Sequence, residues 1–265
     1  AEEAGIRSGD KIIQINGEST EHMSIDAAVK RIRGKAGTEV TLMVLRTGDD
    51  ELHEITVVRD TIHIPTIKTE RRGDVFVIRL FNFSAIAEAQ FQNALREYAR
   101  SGERKLLLDL RGNPGGYLQS AVSIASYFLP TGKVVVREHF GEGQEERVHR
   151  SSGRLLGARA PKRMAVLVDG GSASASEILA GALQEHSAAT LMGTQTFGKG
   201  SVQELVDLSG GSSLKVTIAR WLTPNGNSIS EGGLAPDIEI KDTTAEEAEA
   251  GKDPQLDAAI EQLNR

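Results

Sequence analysis

From Val75 onward, short apolar runs alternate with stretches of helical periodicity, and nothing else in the 265-residue chain restricts its fold as much. Val75 to Leu80, Lys105 to Leu110, Val134 to Arg137, Met164 to Val168, Ala189 to Met192 and Leu214 to Arg220 have the length and aliphatic content of strands. Among them lie two helical stretches, Ala85 to Ala99, with Phe91, Ala94, Leu95 and Tyr98 on one face, and Tyr117 to Phe128. Strand alternating with helix predicts an α/β core with a substantially parallel sheet. The first 60 residues follow another plan. Lys11 to Asn16 is a short strand closed by Asn16-Gly17. Ile25, Ala28, Val29 and Ile32 form one face of a helix ending at Gly34, and Val40 to Arg46 and Glu54 to Val58 are two more strands. The expected organisation is a small unit at 1–60, a connector at 61–73, an α/β core at 74–240, and a tail at 241–265 that ends in the short helix "DPQLDAAIEQL", Asp253 to Leu263.

Composition narrows the function classes. Acidic residues outnumber basic ones, 37 to 31, for a net charge of -6, which is opposite to the balance of a general nucleic-acid binder. Aromatic residues at 4% are too few for a base-stacking platform. No apolar run approaches the roughly 20 residues that span a bilayer. The absence of cysteine excludes disulfides, thiol nucleophiles and thiolate metal sites.

Three stretches could carry chemistry. The first is "GGSASASEILAGAL", Gly170 to Leu183. Ser174-Ala175-Ser176-Glu177 fits the Ser-x-x-Glu capping box, so the plain reading is strand, Gly-Gly turn, capped helix. The same arrangement sets a serine at the positive end of a helix dipole, beside unpaired backbone N–H groups. The second, "GTQTFGKGSVQ" from Gly193 to Gln203, matches a phosphate-binding P-loop as far as Lys199 but has Gly200 where Ser or Thr must hold magnesium. Asp169, which could pass for that motif's metal-holding aspartate, precedes the loop, and Gly210 and Gly211 break the region after it. Lys199 serves better as a base, provided that burial, with Phe197 as apolar cover, favours the neutral amine. None of the six histidines sits in a site-like setting, and His186 lies 12 residues beyond Ser174, three helical turns away. A Ser-Lys pair is thus a better candidate than a Ser-His triad. The third stretch, "DLRGNPGG" from Asp109 to Gly116, is an ordinary strand-to-helix turn or a run of N–H groups able to polarise a carbonyl oxygen; it lacks the Gly-x-Gly-x-x-Gly dinucleotide spacing.

Taken together, "DLRGNPGGYLQSA", "GSASASEILAGAL", "FGKGSVQ", "WLTPNGNSI" and "DPQLDAAI" resemble, in order and approximate spacing, the carboxyl-terminal processing (tail-specific) serine peptidases. The resemblance implies a crotonase- and Clp-protease-like α/β spiral core. It implies Ser174 as nucleophile and Lys199, 25 residues on, as general base. Gln203 would orient that lysine. Ala175 and either Gly115 or Gly116 would supply the oxyanion N–H groups, leaving Ser172 and Ser176 to support the turn. "AEEAGIRSGDKIIQINGEST" is similar to the interior of a PDZ domain, so residues 1–60 are expected to be a partial PDZ domain that lacks the leading strands and carboxylate-binding loop. Arg33, just after its helix, matches a position that couples PDZ placement to the active site. By the same resemblance the protein is a serine endopeptidase acting near the C-terminus of unfolded or tagged protein substrates. It needs no cofactor or metal, contacts no nucleic acid and works outside the cytoplasm, in the periplasm or cell envelope. Any membrane association would come through segments absent from this chain, and a homo-oligomer is compatible with the pattern. The alternatives are a non-catalytic PDZ scaffold with a degenerate core, which an intact Ser174, Lys199 and Gln203 disfavour, and an acyl-CoA enzyme on the related fold.

Overall fold

The protein is seen in a computed structural model that describes residues 4–7, 9–46, 49, 51–61, 65–209, 212–230 and 232–265; Gly210 and Gly211 lie outside them. The chain divides into two compact units, 1–64 and 65–265. In the first, β1 (Lys11–Ile15) and β2 (Glu18–Ser19) are joined by Asn16 and Gly17, whose φ values of 51° and 81° belong to the two-residue turn that matches strand twist. After α1 (Ile25–Ile32) come β3 (Glu39–Leu45) and β4 (Leu52–Val58), giving an antiparallel sheet of order β2-β1-β3-β4. Alternate residues of β3, Val40, Leu42 and Val44, join Ile15 in its core, with Ala28 and Ile32 of α1 packed alongside.

In the second unit, β5 (Ile67–Arg72) and β6 (Val75–Leu80) lead through α2 (Ala87–Ser101) to β7 (Lys105–Asp109) and α3 (Leu118–Ala125). Then follow β8 (Val134–His139), β9 (Arg147–Arg150), β10 (Arg163–Val168), α4 (Ala175–Glu185), β11 (Thr190–Gly193), β12 (Ser201–Asp207), β13 (Ser213–Leu222), β14 (Ile238–Glu239), α5 (Ala245–Glu249) and α6 (Pro254–Asn264). The main sheet has the order β14-β11-β10-β7-β6-β5, parallel throughout except for the edge strand β5. An antiparallel sheet, β12-β13-β8-β9, accompanies it.

The central strands are continuous apolar runs because helices cover both their faces. Leu106, Leu108 and Leu110, with Val166 and Val168, share a core with Phe91, Ile124 and Leu179 of α2, α3 and α4. The intervening Leu107, Ala165 and Leu167 face Leu256, Ala259 and Leu263 of α6. The α/β expectation is therefore met, with corrections at the margins. Ile67–Arg72, within the stretch expected to be a connector, is strand β5; as an edge strand it pairs on one side only, and its Lys68, Glu70, Arg71 and Arg72 hide the pattern behind charge. The glycine-punctuated region after Gly200 forms β12, paired with β13.

α6 is locked to the end of β7 by one guanidinium. Arg111, 8% exposed, donates from Nε and Nη2 to Asp109 (2.9 and 2.8 Å) and from Nη1 and Nη2 to Asp253 (2.8 and 2.7 Å), with Nη1 also 3.0 Å from Gln255 Oε1. Asp253 also caps α6 by accepting from Leu256 N at 3.0 Å. Burial pushes the Asp253 carboxyl up, but the hydrogen bonds from Arg111 and Leu256 N outweigh it and hold its pKa at about 2, below the ordinary 3.8. A depressed carboxyl stabilises the fold above the unfolded pKa and loses that contribution as pH falls through the folded one. The urea midpoint of the native chain should accordingly drop as pH is lowered from about 4 towards 2. Asp253→Asn should lower it at neutral pH, by about 2 kcal/mol of stability, and flatten that acid arm. Urea titrations followed by circular dichroism across this range check both.

Candidate active site

The site forms where adjacent parallel strands end. β7 and β10 are hydrogen-bonded neighbours, with Asp109 opposite Leu167, and Val168 of β10 lies opposite Gly193 of β11. The loops leaving the carboxyl ends of these three strands are the three stretches singled out in the sequence, and such ends are where open α/β sheets place ligands.

The turn after β10 is cross-braced to the turn after β7. Asp169 Oδ1 accepts from Gly112 N (2.8 Å) and Gly171 N (2.9 Å). Ser172, fully buried, donates from Oγ to Leu110 O at 2.9 Å and accepts from Asp169 N at 3.0 Å. Ser176, also buried, donates to Asn113 O at 2.9 Å, and the same carbonyl accepts from Ala173 N at 3.0 Å. Ser172 and Ser176 are thus committed to structure, while Ser174 stands between them as the N-cap of α4 with φ 57° and ψ -113°. A side-chain-bearing residue in that sparsely populated region costs about 1–3 kcal/mol.

The Asn113–Gly116 turn lies directly on Ser174. A methyl group at Gly115 would stand 2.6 Å from Ala173 O, 2.8 Å from Ser174 Cβ and 2.9 Å from Ala175 N, so only glycine permits this approach. Asn113 fixes the turn from within, donating from Nδ2 to Leu80 O (2.7 Å) and accepting Gly115 N at Oδ1 (2.9 Å). That bond occupies the Gly115 N–H. Gly116 forms a parallel bridge with Phe83 in which Phe83 N donates to Gly115 O (2.9 Å) and Tyr117 N donates to Phe83 O (2.8 Å). In such a bridge the middle residue's own N–H points to the other side. Gly116 N and Ala175 N, at the first turn of α4, remain without acceptors among the described residues.

The third loop is tied in by a carboxylate. Glu177, fully buried, accepts from Ser174 N at 2.8 Å and Lys199 N at 3.0 Å on Oε2, and from Thr196 Oγ1 at 2.6 Å and Gly198 N at 2.7 Å on Oε1. Donors surround it on every side, the complement of an ionised carboxylate. Phe197 N adds a 3.0 Å bond to Ser172 O. The backbones of Ser174 and Lys199 therefore converge on one oxygen.

The Lys199 side chain is exposed, and among the described residues no hydrogen bond joins it to Ser174 or Gln203. Phe197, expected as apolar cover, is itself 65% exposed. Gln203 lies exposed on β12, just past a register shift at Val202/Gln203. Arg33 is the exposed C-cap of α1 in the first unit. The P-loop alternative fails on architecture: the loop runs into strand β12, whereas a phosphate loop needs a following helix, and Asp169 is already a turn brace. Among the described residues no group of three or more acidic or histidine side chains is placed to hold a metal. Sequence reasoning missed the bracing roles of Asn113 and Asp169 and the second half of Glu177's work. The Asx-type turn in Gly-Asn-Pro-Gly was a usable signal for the first.

Residues 74–240 match the model of peptidase family S41, and residues 1–46 match a PDZ domain model. The protein named "Probable CtpA-like serine protease" in Staphylococcus epidermidis is 38% identical over 240 residues, covering 91% of this chain and 48% of that protein. The protein of the same name in Staphylococcus saprophyticus is 37% identical over 242 residues, with the same coverages. The chain thus spans about half the length of the curated relatives it matches. Among solved structures, the photosystem II D1 C-terminal processing protease superposes with a TM-score of 0.71 at 30% identity, covering 91% of this chain and 65% of that one. A family match over most of the chain, carried by the strands and loops that build the site, makes the protein a member of peptidase family S41.

Proposed function

We propose that the chain is the catalytic part of a serine endopeptidase in which Ser174 is the nucleophile, Lys199 the general base, and Ala175 and Gly116 the oxyanion donors. The observation that carries this reading is the strained Ser174 set against the Gly115-Gly116 turn, between two N–H groups without acceptors. In the forward step the neutral Lys199 amine removes the Ser174 hydroxyl proton as Oγ attacks the scissile carbonyl. The negative charge that develops on the carbonyl oxygen is taken up by Ala175 N–H and Gly116 N–H, donors already fixed before reaction. The intermediate collapses, the C–N bond breaks, and the leaving amine receives its proton from the Lys199 ammonium. Water, deprotonated in turn by Lys199, then hydrolyses the acyl-enzyme.

General-base work needs the neutral amine, which a lysine supplies near neutral pH only where water is excluded. Because Lys199 is open to solvent, the reading requires that substrate docking, with Phe197 folding over, close the base half of the site. Gln203 orients the lysine once that has happened. Recognition of substrate C-termini, and action outside the cytoplasm, belong to the same reading. Support comes from the PDZ match at 1–46, a module that captures C-terminal peptides by strand addition, and from the C-terminal processing named for the structural relative. Arg33 at the end of α1 is the residue through which that capture would be sensed.

Unfolded casein is the first test. Ser174→Ala should lose activity about a thousandfold or more while retaining the native circular dichroism spectrum, since the cap itself is worth about 1 kcal/mol. Lys199→Arg should be as inactive as Lys199→Ala, because a guanidinium does not give up its proton in a protein; a working Arg variant would reduce Lys199 to a source of charge. Glu177→Gln replaces an acceptor of four donors with a group that itself donates. It should lower kcat by at least about tenfold and stability by about 2 kcal/mol, read from progress curves and urea midpoints. A labelled substrate with a free apolar C-terminus should be cut faster than its C-terminally amidated twin, and equal rates would remove tail recognition from the proposal.

A further inference from the structure

We infer that Ser230 positions the Lys199 amine, its buried hydroxyl oxygen accepting a hydrogen bond from Nζ once the base half of the site has closed. The inference rests on the peptidase reading above and deepens it. The "WLTPNGNSI" stretch and the glycines after it border the lysine loop. Thr196 N donates to Leu234 O at 3.1 Å, Trp221 N donates to Gly200 O at 2.7 Å, and a methyl group at Gly198 would stand 3.0 Å from Gly233 N. Lys199 is the middle residue of a three-residue turn, closed by a 3.1 Å bond from Gly200 N to Gly198 O. Ser230 presses on the exit of that turn: a methyl group at Gly200 would stand 2.4 Å from Ser230 N and 2.5 Å from Ser230 Oγ. Ser230 N donates to Ser228 Oγ at 3.2 Å, but Ser230 Oγ is buried with no hydrogen-bond partner. A buried polar atom left unpaired is uncommon in a folded chain and marks a need that the free chain does not meet.

The chemistry of a lysine base asks for such an atom. A neutral amine has two N–H groups and one lone pair. General-base work aims the lone pair at Ser174 Oγ, so both hydrogens must find acceptors elsewhere. In the mechanism above Gln203 takes one of them. A carboxylate in the second place would favour the ammonium and oppose the reaction. Glu177, the carboxylate that ties down this loop, is already committed, with two donors on each oxygen. A hydroxyl oxygen accepts the second N–H without bringing a charge. Ser230 is also within reach. One C–C bond and the 2.5 Å gap put its Oγ at most about 4 Å from Gly200 Cα, and hence at most about 8 Å from Lys199 Cα. An extended lysine carries Nζ about 6 Å from its Cα, and the hydrogen bond spans about 3 Å more.

The test measures kcat and KM on a quenched-fluorescence peptide for the native chain, Ser230→Ala and Ser230→Thr, at about pH 7.5 and about pH 9.5. Ser230→Ala should lower kcat about tenfold with KM unchanged, the mark of a contact made only in the transition state. The loss should be equal at the two pH values, because the amine loses its orientation and not its charge. The urea midpoint should stay at the native value, since this hydroxyl bonds to nothing in the free chain. Ser230→Thr, which keeps an Oγ, should work within about threefold of the native chain. Four results overturn the assignment of Ser230 alone: native kcat in Ser230→Ala, a loss that vanishes at the higher pH, a loss accompanied by a lower urea midpoint, or a Thr variant as slow as the Ala variant. Cleavage that persists in Lys199→Ala overturns the peptidase mechanism beneath it.

Discussion

A single buried carboxylate, Glu177, holds the geometry of this site together. An isolated charge in the interior is among the costliest features a fold can contain, and Glu177 is tolerated because four donors converge on it. Two of those donors are the backbone amides of Ser174 and Lys199. Oε2 takes the amide of Ser174 on one side and that of Lys199 on the other, so the N-cap of α4 and the lysine loop cannot drift apart without leaving that charge unpaired. Thr196 extends the chain of bonds, donating to Glu177 Oε1 while accepting from Leu234 N at 2.7 Å. The strain at Ser174 persists because the surrounding bonds over-determine it.

Topology explains why so few residues suffice. The strand order places β7, β10 and β11 side by side, so three loops separated by tens of residues emerge at one level of the sheet. The loops after β7 and β10 each lead into a helix, and the loop after β11 leads into a hairpin. The first two are bound to each other by Asp169, Ser172, Ser176 and Asn113 and form a rigid half that presents hydroxyl and N–H groups. The third is anchored only at its root. Beyond Gly200 the β12–β13 hairpin carries Val206, Leu208, Leu214, Val216 and Ile218 with a third to a half of each exposed, a segment with little packing of its own.

How much of this the sequence discloses depends on whether a feature is local. Strands β6, β7, β10 and β11 and helix α2 are legible from period and apolar content, because burial on both faces writes itself as an unbroken run in Leu106 to Leu108 and Ala165 to Val168. Asn16-Gly17 announces its turn for the same reason: the conformation and the residues that allow it are neighbours. β5 escapes because an edge strand needs only one apolar side and this one is rich in charge. Ser174-x-x-Glu177 is legible as a cap, yet its tie to Thr196 and Gly198 is a tertiary contact with no periodicity to betray it. That the Gly115 N–H is already occupied could not be read from the chain either, since it turns on where one Asn113 side chain points.

The unequal finish of the two halves has a physical reason. In the proposed mechanism the oxyanion donors and the nucleophilic hydroxyl are neutral groups, so building them into a fixed, partly buried frame incurs no charge penalty and saves reorganisation when substrate arrives. A lysine base is different. To act, it must lose its charge, and a permanently dry lysine would burden the folded state with that cost in every molecule, substrate or none; bringing the pKa from about 10.4 to near neutrality is worth about 4 kcal/mol. Most globular domains have only about 5–15 kcal/mol of net stability from which to meet it. If Lys199 is the base, as proposed above, leaving it in solvent while fixing its backbone through Glu177 separates the two demands: position is built into the fold, and desolvation is deferred to the moment when a bound chain covers the loop. Under the mechanism proposed above, the exposed Phe197 and the loosely packed hairpin are what would let the fold hold a lysine base at little cost to its resting stability.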